Sequence, residues 1–270
     1  MDINWFPGHM ASAIRKIKEI KPLDLIIEVI DARSIKSSRN DSLIAEINKP
    51  KITIAVKNDL VDEKTLKKDD NIFFCSTKNK NDRKKIINLI YKHFEQKIKT
   101  LKQKGLLIPQ FYILVVGLPN IGKSSLINFI TDYTTKTIVQ NKAGTTKKNQ
   151  LIKINENLFL YDTPGIMVKK IESDTQGYIL SALNVIKKEV IPLEKVCEWI
   201  FNFYNLNYHI QFNEYFKIDK KNNFEDFIKH LCTKYNFYTN NSSYDKNRAL
   251  DFFFNLIKDN KICKVNYDKE

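Results

Sequence analysis

Along the first two thirds of the chain, solid apolar runs alternate with stretches whose apolar residues recur every three or four positions. Leu25–Ile30 (LIIEVI), Ile52–Val56, Ile72–Cys75 and Phe111–Val116 read as buried strands. Between them the spacing predicts a basic amphipathic helix up to about Ile20, stopped by Pro22, and a second helix over Asp41–Ile47. A long basic helix is predicted over Asp82–Lys104, with Ile86, Ile87, Ile90, Phe94 and Ile98 on its apolar side, until Gly105 and Pro109 break it. Leu151–Ile154 and Leu158–Tyr161 read as a strand pair. Strands alternating with helices predict an α/β fold, a mostly parallel sheet with helices on both faces and its ligands at the carboxyl ends of the strands. Beyond about Tyr178 the pattern is helical and aromatic, so the expected division is an α/β domain over 1–178 and an all-α C-terminal domain over 179–270.

The strand Phe111–Val116 runs into Gly117-Leu118-Pro119-Asn120-Ile121-Gly122-Lys123-Ser124-Ser125, and Leu126, Ile127 and Ile130 then mark one face of a helix. This is G-x-x-x-x-G-K-[ST] in its strand–loop–helix setting, the P-loop of a nucleoside-triphosphate site. The two glycines let the backbone turn tightly, so that N–H groups and the helix N-terminus face phosphate oxygens. Lys123 adds a point charge for the terminal phosphates, and the Ser124 hydroxyl can ligate Mg²⁺. All nine residues from Gly117 to Ser125 are expected at the nucleotide.

Composition narrows the picture less. With 43% hydrophobic residues in 270, the chain has ample core. No apolar run approaches the roughly 18 residues of a membrane span, and the opening MDINWFPGHM has no signal pattern, so a cytoplasmic protein with no membrane partner is expected. Four scattered cysteines signal neither zinc nor a disulfide framework. The net charge of +14 fits a polyanionic partner such as RNA, yet only five of 45 basic residues are arginine, the bias an A+T-rich genome would produce. Location discriminates better: residues 78–104 carry ten Lys/Arg against Asp82 and Glu95. That stretch reads as a phosphate-facing surface or as a solvated helix face.

Further segments fall at strand ends where a P-loop GTPase uses them. Asp162-Thr163-Pro164-Gly165 offers Asp162 as an anchor of Mg²⁺ and the Gly165 N–H to the γ-phosphate. Thr146, or its neighbour Thr145, can complete the metal shell. In Lys57-Asn58-Asp59, the Asp59 carboxylate can accept from both N–H donors of guanine, which adenine cannot satisfy, and the Lys57 stem can lie along the base. Ser76-Thr77-Lys78 can offer a backbone N–H to the guanine carbonyl.

These base-reading segments precede the P-loop instead of following it. In this order the chain resembles the circularly permuted GTPases, specifically the ribosome biogenesis GTPase A (YlqF/RbgA) family. The resemblance rests on WFPGHM (Trp5–Met10), VIDAR (Val29–Arg33), GLPNIGKSSLIN (Gly117–Asn128), AGTTK (Ala143–Lys147) and DTPGIM (Asp162–Met167), with a weaker echo at Asp245, Arg248 and Ala249. It implies a monomeric GTPase acting on the large ribosomal subunit precursor through rRNA and ribosomal proteins. Hydrolysis to GDP and phosphate would be stimulated by ribosomal subunits and K⁺. Ile166 stands where many GTPases carry a water-orienting glutamine, and the resemblance makes His9 the catalytic candidate. Asn120 matches the asparagine associated with a bound K⁺.

The chain departs from the family at three places. Val56 replaces the asparagine that braces base and P-loop, Val168-Lys169 replaces Trp-Pro, and Asn260-Lys261-Ile262-Cys263 replaces Gly-Lys-Leu-Gly. These departures keep a second reading open, an RNA-binding scaffold with weak or degenerate nucleotide turnover, and a P-loop ATPase is a third. The C-terminal aromatics, from Trp199 to Phe254, read mostly as a helical core, with stacking on unpaired bases as the alternative.

Overall fold

The computed structural model describes residues 8–67, 69–131, 150–168, 170–218 and 223–269, with side chains from Ser12 onward. They fall into two compact units, one within 5–61 and 66–170, the other within 62–65 and 171–270.

The first unit runs α1 (Gly8–Lys18), β1 (Leu25–Asp31), α2 (Ile35–Ser38), α3 (Asp41–Ile47), β2 (Lys51–Val56), β3 (Ile72–Phe74), α4 (Lys80–His93), α5 (Glu95–Gln103), β4 (Phe111–Gly117), α6 (Lys123–Ile130), β5 (Gln150–Lys153) and β6 (Leu158–Asp162). Its strands form one sheet in the order β3-β2-β1-β4-β6-β5. All pairs are parallel except β5 with β6. Every residue of β1 is buried, the mark of a central strand covered on both faces. On one face Ile14 and Ile17 of α1 and Leu43 of α3 pack with Ile26, Leu114 and Val116. Side chains alternate along β4, so Phe111, Ile113 and Val115 turn to the opposite face, and Phe94 stacks on Phe111 there at 4.0 Å.

That stacking breaks the expected long helix in two. Phe94 leaves helical geometry (φ −93°, ψ 4°), and its ring is 5% exposed. Burying a phenylalanine against β4 is worth about 2 kcal/mol, more than one interrupted helical turn costs. Of the basic residues in this stretch, Lys85 pairs with Asp82, Lys97 with Asp24 and Lys99 with Glu95, and Arg83 donates to the Ile130 carbonyl.

The second unit contains α7 (Asp174–Ala182), α8 (Leu193–Asn207), α9 (His209–Phe216), α10 (Phe224–Tyr235) and α11 (Lys246–Lys258). Phe201, Phe212, Phe216, Phe227 and Phe253 form one ring cluster with centroids 4.9–6.1 Å apart. The aromatics expected to make a helical core therefore do so. After α11 the chain is irregular, and Asn266 fastens it: its N–H donates to the Tyr208 hydroxyl (2.9 Å) and its amide to the Thr65 carbonyl (3.0 Å). Among the described residues no helix is long and apolar enough to cross a membrane.

Candidate nucleotide-binding site

The parallel strands β1, β2, β3, β4 and β6 end on the same edge of the sheet, and the segments singled out in the sequence leave from those ends. At the end of β4 the loop takes backbone angles of alternating sign, Asn120 at φ 54° and Gly122 at φ 116° with Ile121 between them in the ordinary region. Such alternation turns successive N–H groups inward and makes a nest for an anion. Gly117 has no room for a side chain, since a Cβ there would stand 2.5 Å from the Val29 carbonyl oxygen. Leu118 and Ile121 are buried and anchor the loop, while Asn120, Ser124 and Ser125 are exposed.

A cavity of about 480 Å³ opens over this loop, lined by Pro119, Asn120, Lys123, Ser124, Gln150, Asp162, Thr163, Pro164 and Gly165. Lys123 is 6% exposed and donates from Nζ to the Leu118 carbonyl at 3.2 Å. Burial pushes its ammonium down to about 8, and the charge of Asp162 pulls the other way. The segment after β6 is tied to the loop strand: Thr163 Oγ1 donates to the Val115 carbonyl (2.7 Å) and the Ile166 N–H to the Gly117 carbonyl (3.1 Å). Asn40 holds it from the other side, donating to the carbonyls of Ile166 and Met167. The Ile166 side chain points into the core cluster with Ile14 and Ile17 of α1, so it presents nothing to a water over the phosphates.

The donor set fits Mg²⁺. Ser124 and Asp162 supply a hydroxyl and a carboxylate, hard oxygen ligands, in the same cavity as Lys123. No group of three or more His, Cys, Asp or Glu that could hold a metal occurs among the described residues, so Ser124 and Asp162 would hold the ion only together with further oxygen ligands.

Farther along the edge, Asp59 and Ser76-Thr77-Lys78 come together. Ser76 Oγ donates to Asp59 Oδ1 (2.8 Å) and Lys78 Nζ to Asp59 Oδ2 (2.6 Å). Burial would raise the Asp59 carboxyl, but the bonds from Lys78 and Ser76 hold it below the usual range. The Asn58 N–H donates to the Cys75 carbonyl, locking the two segments together through the backbone. Thr77 is half-buried in the turn between them. Lys57 adopts the left-handed region (φ 63°), which turns the chain sharply out of β2. Its ammonium lies 2.7 Å from Asp31 Oδ2, and Arg33 grips the same carboxylate with two bonds.

Thr145 and Thr146 lie outside the described residues, as do Trp5–Pro7 and Lys169. His9 stands in the first turn of α1, and its side chain is likewise outside them. Asp31, Asn40 and Gln150 were not assigned any role from the sequence. Asp31 ends a strand buried throughout, which has no alternation to show where a polar residue points; Gln150 follows a polar stretch of sequence and belongs to no motif.

A P-loop beside an Asp59–Ser76 pair, on one edge of this sheet, defines a P-loop GTPase of circularly permuted order, in which the Asp59 and Ser76 segments precede the P-loop in the chain. The family described as 50S ribosome-binding GTPase matches residues 112–224. The chain is 38% identical to the probable ribosome biogenesis GTPase A of Mycoplasma genitalium, over 98% of this chain and 96% of that protein. It is 32% identical to ribosome biogenesis GTPase A of Priestia megaterium, over 82% and 80%. In fold it is similar to GNP-bound YlqF from T. maritima, with a TM-score of 0.65, 22% identity and coverage of 96% and 98% of the two chains. The chain belongs to the ribosome biogenesis GTPase A family.

Proposed function

We propose that this chain hydrolyses GTP to GDP and phosphate in the cytoplasm, and that its nucleotide state gates its hold on a precursor of the large ribosomal subunit, through rRNA and ribosomal proteins. The observation that carries the reading is the joining of Asp59 to Ser76 and Lys78 on the same sheet edge as the phosphate nest. A carboxylate held ionised there can take both N–H donors of guanine, and adenine, which lacks that pair of donors, leaves it unsatisfied.

In this reading Gly117–Ser125 cradle the phosphates, Lys123 meets the terminal ones, and the Gly165 N–H senses the γ-phosphate. Ser124, Asp162 and Thr146 hold Mg²⁺, which when bound neutralises charge developing between the β- and γ-phosphates. Asn120 offers its side-chain oxygen to K⁺. Because Ile166 is spent in the core, the nucleophilic water needs another partner. His9 is that group: it sits on α1, whose Ile14 and Ile17 share a core cluster with Ile166.

The deciding measurement is GTP hydrolysis in K⁺ and in Na⁺, with and without large ribosomal subunits. The proposal expects turnover that rises with subunits and with K⁺. A chain that binds subunits whatever its nucleotide and hydrolyses nothing would be a scaffold instead, and competition by ADP as strong as by GDP would defeat the guanine reading.

A further inference from the structure

Position 56 is valine, which has no polar atom to tie the base-reading segment to the phosphate loop, and its side chain is buried. The structure contains a different tie. Asp31 and Val56 are register partners at the ends of β1 and β2, so Lys57 leaves the sheet directly beside the Asp31 carboxylate. That carboxylate is fully buried, and Arg33 alone satisfies it three times: backbone N–H to Oδ1 (3.0 Å), Nε to Oδ1 (3.0 Å) and Nη2 to Oδ2 (2.9 Å). The planar guanidinium matches a carboxylate bidentately and needs no second cation to neutralise it.

Lys57 is nevertheless brought in as well, 2.7 Å from Oδ2 with its side chain 26% exposed. Two cations thus reach the one carboxylate, more than neutralising it requires. The Lys57 backbone occupies the left-handed region, which a long side chain rarely adopts unless its surroundings enforce it. On the way to Asp31 the lysine passes the phosphate loop: a Cβ placed on Gly122 would stand 3.8 Å from Lys57 Cε and 3.2 Å from Val56 Cγ2. One side chain therefore leaves the base-reading segment, crosses the glycine of the phosphate loop and ends on a carboxylate of the neighbouring strand.

We infer that Asp31, fixed by Arg33, is a positioning residue that holds Lys57 across the phosphate loop, and that this ion pair supplies the brace between base-reading segment and phosphate loop that Val56 cannot. The inference rests on the guanine-nucleotide reading above. It gives Asp31 no contact with the nucleotide; its effect passes through Lys57. Removing the brace should weaken ligands that span both segments and spare those that occupy the phosphate nest alone.

The test compares GDP with inorganic pyrophosphate as competitors of a fluorescent GDP analogue, for the wild type, Asp31→Asn, Lys57→Met and the double variant. Asp31→Asn is expected to weaken GDP about tenfold and pyrophosphate less than about twofold, and to add nothing in the Lys57→Met background. Equal loss of both ligands, or additive losses in the double variant, would mean that Asp31 acts by supporting the fold, and would overturn the inference. Should Asp31→Asn not fold, because Arg33 is left buried opposite a neutral amide, Lys57→Met decides alone. A selective loss of GDP supports the brace, and unchanged GDP affinity removes it. A wild-type protein that binds pyrophosphate but not GDP would defeat the guanine reading itself, an outcome distinct from the others.

Discussion

Ser76 Oγ donates a hydrogen bond to Asp59 Oδ1 across 2.8 Å, joining two segments separated by 17 positions in the chain. The other carboxylate oxygen carries Lys78, whose side chain is 76% exposed. A carboxylate has about four acceptor sites, so guanine can be received while Ser76 keeps its place and only the exposed lysine tip yields. Ser76 is the fixed partner of the two: it is buried, and its own N–H is held by Asp82 Oδ2 at 3.1 Å.

Ser76→Ala should therefore release the Asp59 carboxylate, and with it the Lys78 N–H from which the same hydroxyl accepts at 3.2 Å. One such bond is worth about 1 kcal/mol, so GDP affinity should fall about fivefold, chiefly through faster release, with pyrophosphate unaffected. Stopped-flow displacement of a fluorescent GDP analogue measures both. An unchanged release rate would mean that Asp59 needs no orientation from Ser76.

Much of this edge was legible in the sequence because phosphate chemistry demands particular residues at fixed spacing. Gly117, Gly122, Lys123 and Ser124 announce a loop and its ligand together, and Asp162 and Gly165 follow a strand as they should. Permuted order hid nothing, because the sheet needs its neighbours in space and not in sequence. What stayed illegible was tertiary. Asn40 caps α3, accepting from the Leu43 N–H at 3.3 Å. Only the fold shows that its amide also secures the carbonyls after Gly165. Phe94 fits the apolar stripe of one long helix, and only its stack on Phe111 shows that the helix ends there. The Asp31–Arg33–Lys57 cluster was invisible for the same reason: its members come from the end of one strand and from the turns that follow two, and periodicity reports burial without naming partners.

Gly165 owes its identity to contact and not to backbone angle. A Cβ there would stand 2.6 Å from Pro119 Cα and 2.7 Å from Pro119 N, backbone atoms of the phosphate loop. Gly165→Ala must displace one of the two segments, at a cost of about 1–3 kcal/mol. The variant is expected to melt several degrees lower and to lose GTP hydrolysis by more than about tenfold, while guanine selectivity, set elsewhere on the edge, persists. Thermal melts and single-turnover hydrolysis check this. Unaltered melting would show that the segment stands clear of the loop in solution.

Lys123 makes nucleotide binding depend on pH in a definite direction. Burial holds its ammonium down to about 8 against an ordinary 10.5, so the folded protein keeps the charged form at a cost of about 3 kcal/mol. A polyphosphate opposes that effect by placing negative charge beside the amine. At pH 7 the ammonium is already protonated and binding moves few protons. As pH rises through about 8 the unliganded site becomes neutral, while the complex retains its proton, so binding must take one up. GDP affinity should be nearly flat between pH 6.5 and 7.5 and should weaken towards about tenfold per unit between roughly pH 8.5 and 10. Calorimetry at pH 9 in buffers of different ionisation heat should register proton uptake, and Lys123→Met should remove all of the uptake and the slope except what ionisation of the guanine N1–H itself contributes. Proton release, or affinity independent of pH across that range, would mean that Lys123 keeps its charge without the phosphates and that the loop is preorganised by other means.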